Sequence, residues 1–443
     1  MKISVIGLGK LGAPWAAVLA FKGHTVIGVD TNTQYVDAIN QGKTPVAETD
    51  LERLITESRH NLSATTDIRQ AVLDTQATFI VVSTPSEPHG GFSLLHVQAA
   101  LESLGAALRE KAGYHLVVLT STVMPGDIQT HVRPILEKSA GKRLGESLGL
   151  CYNPEFIALG SVIHDMLHPD FILIGESDPH AGDMLAEIHR GICGDKPRIA
   201  RMNFVNAEIT KLAVNTFVTT KISYANMLAR VCEQLPGADA DVVTTALGLD
   251  SRIGQKYLKG AVSYGGPCFP RDNLAFAALG ARLGVQTLLA EATDQMNRAQ
   301  IETLANLVRA NLPPGGSVGI LGLSYKPQTN VCEASAGVYL ARRLHDAGVP
   351  VIVYDPAALA AARHVLGHSV AYAASTIACA RQADVLVVAV AWSEFATLRP
   401  ADLRRPNHRP MVIDCWRLLN PREFASVANV IVLGVGPPST PSA

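Results

Sequence analysis

The chain has 443 residues, 48% of them hydrophobic and 17% charged, with a formal net charge of −1. At roughly 100 to 200 residues per domain this length predicts two to four domains, and the balanced charge excludes a basic nucleic-acid face or an acidic tail. Seven scattered cysteines with no C-x-x-C pair exclude a disulfide scaffold, and no apolar run reaches the ~18 residues of a membrane span, so a cytoplasmic, soluble chain with no membrane partner is expected.

Short β-branched runs alternate with longer amphipathic segments over the first third of the chain. Ile3–Ile6, Thr25–Val29, Phe79–Val82 and Leu116–Leu119 read as strands separated by helices. That rhythm predicts a parallel sheet with crossover helices. From Asn206 to Cys232 an apolar periodicity free of Gly and Pro predicts one long helix, with more helix to about Gly284. The strand rhythm returns at Ser317–Leu321, Pro350–Tyr354, Val385–Val390 and Val412–Asp414. A second α/β domain therefore follows, and the turn-rich residues 436–443 form an expected disordered tail.

Gly7-Leu8-Gly9-Lys10-Leu11-Gly12 follows the first strand and opens a helical pattern, and the second strand ends in Asp30. Strand, glycines, helix and acidic residue stand in the order of a dinucleotide site. The glycines allow a tight turn, and a pyrophosphate can rest on the helix N-terminus. Asp30 can accept from ribose hydroxyls and repels a 2′-phosphate, which points to NAD as cofactor. Two later strand ends, with Thr84 in Ser83-Thr84-Pro85 and Thr122 in Ser121-Thr122-Val123, border the same crevice by position.

Lys211 and Asn215 lie four apart on the predicted long helix and interrupt its apolar stripe. On spacing alone the pair reads equally well as a snorkelling lysine beside a satisfied amide. Gly265-Gly266-Pro267-Cys268-Phe269-Pro270-Arg271-Asp272 sets a cysteine among turn residues, where glycines let a substrate approach the backbone. A lone cysteine is usually a small core residue, and this setting is a poor one for a core. If a helix starts near Pro270, Asp272 turns toward the same pocket. His164 and His168 have metal-pair spacing, but Pro169 follows and no third ligand is evident, so no metal is expected.

Together with Asn153-Pro154-Glu155-Phe156, Lys221-Ile222-Ser223, Arg252-Ile253-Gly254 and Gly322-Leu323-Ser324-Tyr325-Lys326-Pro327, these stretches resemble the UDP-glucose/GDP-mannose dehydrogenase family, most closely its UDP-glucose 6-dehydrogenase branch. The resemblance covers nearly the whole chain. It implies an α/β fold of two Rossmann-like doubly wound parallel-sheet domains, joined by a long central helix and a helical middle domain. The expected boundaries are an NAD-binding domain at 1–203, a central dimerisation and catalytic domain at 204–300 and a nucleotide-sugar (UDP) domain at 301–435.

It further implies a four-electron oxidation of a sugar C6 alcohol to a carboxylate with two NAD in turn, UDP-glucose being the leading substrate. Cys268 would carry thiohemiacetal and thioester intermediates, with Lys211 and Asn215 holding the oxyanions. Asp272, Glu155 and Thr122 match proton-handling and water-positioning groups, with the principal base left open among them. Gly7, Gly9, Leu11, Gly12, Asp30, Thr84 and Thr122 would hold NAD. Glu155, Phe156, Lys211, Asn215, Arg252, Tyr257, Gly265 and Lys326 would contact the nucleotide-sugar substrate. Arg252 would reach the neighbouring subunit's site in a homodimer.

Three segments depart from the family pattern, all bearing on the substrate. Ile157-Ala158-Leu159 stands where many relatives have Leu-Arg-Glu, Cys332 aligns with a basic residue, and Phe171 stands where Arg is common. Lost charge near phosphate-handling segments leaves UDP-N-acetylhexosamine and GDP-mannose as alternative substrates. A two-electron dehydrogenase of the 6-phosphogluconate or 3-hydroxyacid kind, which uses no cysteine, and an NAD-sensing scaffold are the rival readings.

Overall fold

The computed structural model describes residues 1–438 apart from 195 and 407. They divide into two units, Met1–Ala213 and Val214–Ala443. In the first, eight strands form one sheet: β1 (Lys2–Ile6), β2 (Thr25–Val29), β3 (Leu62–Thr65), β4 (Ala77–Ile80), β5 (His115–Leu119), β6 (Leu148–Tyr152), β7 (Ile172–Glu176) and β8 (Ile199–Met202). Their order is β3-β2-β1-β4-β5-β6-β7-β8, and every neighbouring pair is parallel except β6 with β7. The strand order turns about between β1 and β4, and such a switch point is where open α/β sheets bind ligands.

Consecutive residues of a strand buried on both faces must all be apolar, and β5 shows it. Leu116 and Val118 enter the core on one face of the sheet and Val117 and Leu119 that on the other. The helix Gly12–Phe21 covers the first face with nine buried residues.

The second unit carries six parallel strands: β9 (Val318–Leu321), β10 (Val351–Tyr354), β11 (Ala371–Tyr372), β12 (Val385–Val388), β13 (Met411–Asp414) and β14 (Asn429–Val432). Their order, β11-β10-β9-β12-β13-β14, repeats that of the first six strands of the first sheet. In β12, Val385 and Val387 face one core and Leu386 and Val388 the other.

The predicted long helix runs Phe204–Glu233, and the division between the units falls within it. Ala240–Gly248, Phe269–Leu283 and Leu288–Ala310 follow as helices. Residues 249–268, read from the sequence as part of a helical stretch, form turns and loops instead. Four glycines and Pro267 in that stretch explain the difference.

The expected disordered tail is partly tied down. Gly436 N–H donates to the Ala238 carbonyl and Gly237 N–H to the Pro437 carbonyl, at 2.9 and 2.8 Å. Residues 439–443 lie outside the described residues. No described helix is long and apolar enough to cross a membrane.

Candidate active site

At the switch point of the first sheet, β1 is followed by Gly7, whose φ of +92° suits glycine and whose hypothetical Cβ would sit 2.4 Å from the Val81 carbonyl oxygen. A Cβ on Gly12 would lie 1.7 Å from the Gly7 carbonyl oxygen, so the helix can start against the turn only with glycine there. Gly9 faces open space. The helix that follows has neither a side-chain cap, with Leu11 at its N-cap, nor an acidic residue in its first turn. Its N–H groups are thus available to an anion.

Asp30 is half-buried and fixed by the Leu8 N–H on Oδ2 at 2.7 Å and the Asn32 N–H on Oδ1 at 2.8 Å. Each oxygen keeps lone pairs for a ribose diol. The loops after β4 and β5 are stitched together by Thr84 Oγ1 donating to the Thr122 carbonyl and Ser121 Oγ to the Val82 carbonyl, at 2.8 and 2.6 Å. Geometry and donor set fit NAD.

The second sheet repeats the motif with its acid consumed. Asp355, after β10, is 1% exposed. Its Oδ2 accepts from Leu323 N–H, Ser324 N–H and Ser324 Oγ within 2.9 Å, and Trp392 Nε1 lies 3.3 Å away. Its Oδ1 takes the Ala357 and Ala358 N–H groups. A ribose there has no carboxylate left to bind, so only the first crevice suits a dinucleotide.

Beside the first crevice, Lys211 is 5% exposed and donates from Nζ to the Glu155 carbonyl at 2.7 Å. The same ammonium lies 4.8 Å from the centroid of the Phe156 ring. The Glu155 carboxyl is pushed up to about 8 by burial, against the pull of the Lys211 ammonium and the Trp15 indole. Its Oε1 is buried with no hydrogen-bond partner. A carboxyl in that state exchanges a proton near neutral pH.

In the second unit, Cys268 is the exposed cysteine among seven, and it occupies the N-cap of the helix Phe269–Leu283 with Pro270 in the first turn. Its carbonyl accepts the Asp272 N–H at 2.8 Å, and Asp272, 1% exposed, accepts from Asn215 Nδ2 at 2.6 Å. The thiols of Cys193 and Cys332 are pushed up to about 11 by burial and that of Cys379 to about 12, which leaves them inert. Tyr257, with φ of +65°, meets the Phe269 ring edge-on at 6.1 Å.

Several anchors escaped the sequence reading. Glu208, fully buried on the long helix, accepts from the N–H groups of Gly126 and Ile128 at 2.7 and 2.8 Å and so fixes the loop that carries Thr122. Asn226 brackets residues 261–262, and Asn297 pairs with both backbone groups of Tyr264. Polar residues breaking apolar helix faces were the available signal.

Gly265 and Gly266 have a different reason from the one expected. A Cβ on Gly265 would meet the Ala334 carbonyl oxygen at 2.2 Å and one on Gly266 the Tyr325 ring at 2.6 Å, so the protein's own chain makes the close approach. Cys332 likewise faces inward, its thiol 3.7 Å from the Ala358 carbonyl. Lys326 is half-buried, and Arg252 is 86% exposed in its side chain and ion-paired with Asp250 at 2.6 Å. Among the described residues no cluster of three or more His, Cys, Asp or Glu could hold a metal.

One intact dinucleotide crevice in the unit that carries Lys211 marks an NAD-dependent oxidoreductase. Residues 1–193, 205–299 and 319–421 match in turn the NAD binding, central and UDP binding domains of the UDP-glucose/GDP-mannose dehydrogenase family. The chain belongs to that family of nucleotide-sugar dehydrogenases.

It is 36% identical to the UDP-glucose 6-dehydrogenase AglM of Haloferax volcanii over 96% of this chain and 98% of that protein. To the GDP-mannose 6-dehydrogenase of Pseudomonas aeruginosa it is 35% identical over 80% and 81%. A UDP-glucose dehydrogenase structure from Pyrobaculum islandicum superposes with a TM-score of 0.88 at 34% identity, covering 98% of both chains.

Proposed function

We propose that the protein oxidises the C6 alcohol of UDP-glucose twice, to UDP-glucuronate, through intermediates on Cys268. The observation that carries this reading is the exposed thiol at a helix N-terminus, with buried Asp272 and Asn215 in the same unit. The likeness to UDP-glucose dehydrogenases over nearly the full chain supports the choice of sugar.

NAD held by the Gly7–Gly12 turn and Asp30 would supply the hydride acceptor for each of two oxidations. In the first, the C6–H bond gives up its hydride while a protein group takes the hydroxyl proton, leaving an aldehyde. The Cys268 thiolate, favoured by the helix dipole, adds to the aldehyde carbon and forms a thiohemiacetal. Loss of a second hydride and the hydroxyl proton gives a thioester. Water then attacks the thioester carbon, the C–S bond breaks, and carboxylate and thiolate are released.

Lys211 and Asn215, one turn apart on a continuous helix, donate to the oxyanions of these steps. Glu155, with a carboxyl that titrates near 8, takes and returns protons, and Thr122 and Asp272 position water.

A homodimer fits the surface of the second unit. Phe217, Tyr224 and Val231, spaced by seven, form an exposed apolar stripe on the long helix, continued by Leu235 and Val242. Arg252 projects into solvent, as a residue serving a neighbouring subunit must. Turnover of a panel of UDP- and GDP-sugars with NAD tests the proposal. UDP-glucose is expected to give the highest kcat/KM, and absence of NADH formation with every sugar would overturn it.

A further inference from the structure

The first sheet contains one reversal, and it brings Phe171, a residue outside the expected site, against Phe156, whose ring lies beneath Lys211. β6 and β7 pair antiparallel, with Cys151 opposite Glu176 and Tyr152 opposite Gly175. Continued past the last pair, that register sets residue 156 opposite residue 171. Asn153 spans the widening gap by donating from Nδ2 to the Leu173 carbonyl at 3.0 Å.

The Phe156 and Phe171 rings accordingly lie with centroids 4.8 Å apart and planes inclined by 34°, a favourable offset geometry. Phe156 is in turn the ring over which Lys211 Nζ sits, while that ammonium donates to the Glu155 carbonyl. One residue of the loop after β6 thus supplies a carbonyl to the ammonium and the next supplies a ring.

We propose that Phe171 is a positioning residue for Lys211, acting through the Phe156 ring. A phenylalanine at the mouth of a strand has several orientations open to it, and its face can hold a cation only in one. Contact with a second ring selects among them, which an aliphatic side chain of similar volume does not do. Arginine, common at this position in the family pattern, would bring a second cation to the same ring. Phenylalanine leaves the ring to Lys211. The inference rests on the role given to Lys211 above.

Three variants, Phe171→Leu, Phe171→Tyr and Phe171→Arg, are read in two ways. The first readout is kcat and KM with NAD and UDP-glucose. Loss of an aromatic pair predicts a kcat about three- to tenfold lower for Phe171→Leu with KM for NAD unchanged, and recovery in Phe171→Tyr. The second readout needs no turnover: the rate at which an amine-acylating reagent labels Lys211, measured by peptide mass spectrometry on the intact protein. Labelling should rise by a similar factor in Phe171→Leu and Phe171→Arg and stay native in Phe171→Tyr.

A Phe171→Leu protein that melts earlier but keeps native kcat and native Lys211 labelling would reduce Phe171 to core packing and overturn the inference. So would a lower kcat with unchanged labelling, because the effect would then bypass Lys211. If the unaltered protein turns over no nucleotide sugar, the dehydrogenase proposal fails by itself, and the labelling rates still decide the stack. Should Phe171→Leu not fold, Phe171→Arg against Phe171→Tyr makes the same comparison.

Discussion

Replacing Lys211 with methionine keeps most of the buried stem and removes the charge. Three consequences follow from its surroundings. The Glu155 carbonyl loses a 2.7 Å charge-assisted bond, and an unsatisfied acceptor costs about 1–3 kcal/mol, or a Tm roughly 2–12 °C lower in a unit of this size. The oxyanion intermediates lose a donor, which costs about 10² to 10³ in kcat in comparable sites. Glu155 loses an ammonium that draws its carboxyl down, so the value near 8 rises further and, because the carboxyl must be ionised to take a proton, the acid limb of the pH–rate profile moves to higher pH. The assay is steady-state NADH production across pH 6–10 with saturating NAD and sugar nucleotide. A kcat within threefold of the native value, or an effect confined to KM, would refute the role given to this ammonium.

Cys268→Ser should abolish net acid formation, measured as sugar acid by chromatography, because an alkoxide is not reached near neutral pH; native yields would remove the thiol from the pathway. Asp30→Ala should raise KM for NAD about 10- to 100-fold and narrow the preference over NADP, through loss of charged hydrogen bonds to the ribose; an unchanged cofactor ratio would contradict that role. Glu155→Gln should flatten the stability profile. The folded carboxyl near 8 lies above its ordinary value of 4.5, so it stabilises the fold most below pH 4.5 and that contribution is lost as pH rises toward 8. Melting curves of the variant should match the native protein at pH 4.5 and exceed it at pH 9, and equal Tm values at both would count against a buried neutral carboxyl. His115 and His189, both lowered to about 3 by burial, act at the acid end. Their contribution is present above 6.5 and lost as pH falls toward 3, so acid unfolding should be less steep in His189→Gln, and an unchanged acid midpoint would exclude His189 as a cause.

The cofactor crevice was legible because its determinants are local. A strand, three glycines, a helix and Asp30 follow one another in the chain, and the backbone turn admits no other order. The long helix was found to within two residues at its N-terminus, since nothing in Phe204–Glu233 breaks a helix. Leu148–Tyr152 was missed because Gly149 and Cys151 dilute a short buried run, and Ile199–Met202 because its Arg201 faces outward to Glu176. The reversal at β7 left no local mark, so the meeting of Phe171 with Phe156 was invisible. For the same reason Glu208, Asn226 and Asn297 read as ordinary polar interruptions: their partners lie between 33 and 82 residues away in the chain. Gly265 and Gly266 were recognised as tight places, yet what presses on them, Ala334 and Tyr325, belongs to a loop about 60 to 70 residues on.

The most direct test of the double oxidation is the stoichiometry of a limiting sugar nucleotide driven to completion with excess NAD. Two NADH per carboxylate formed is the predicted result. One NADH per sugar, with aldehyde or ketone as the end product, would contradict a thioester on Cys268 and return the protein to simple two-electron chemistry.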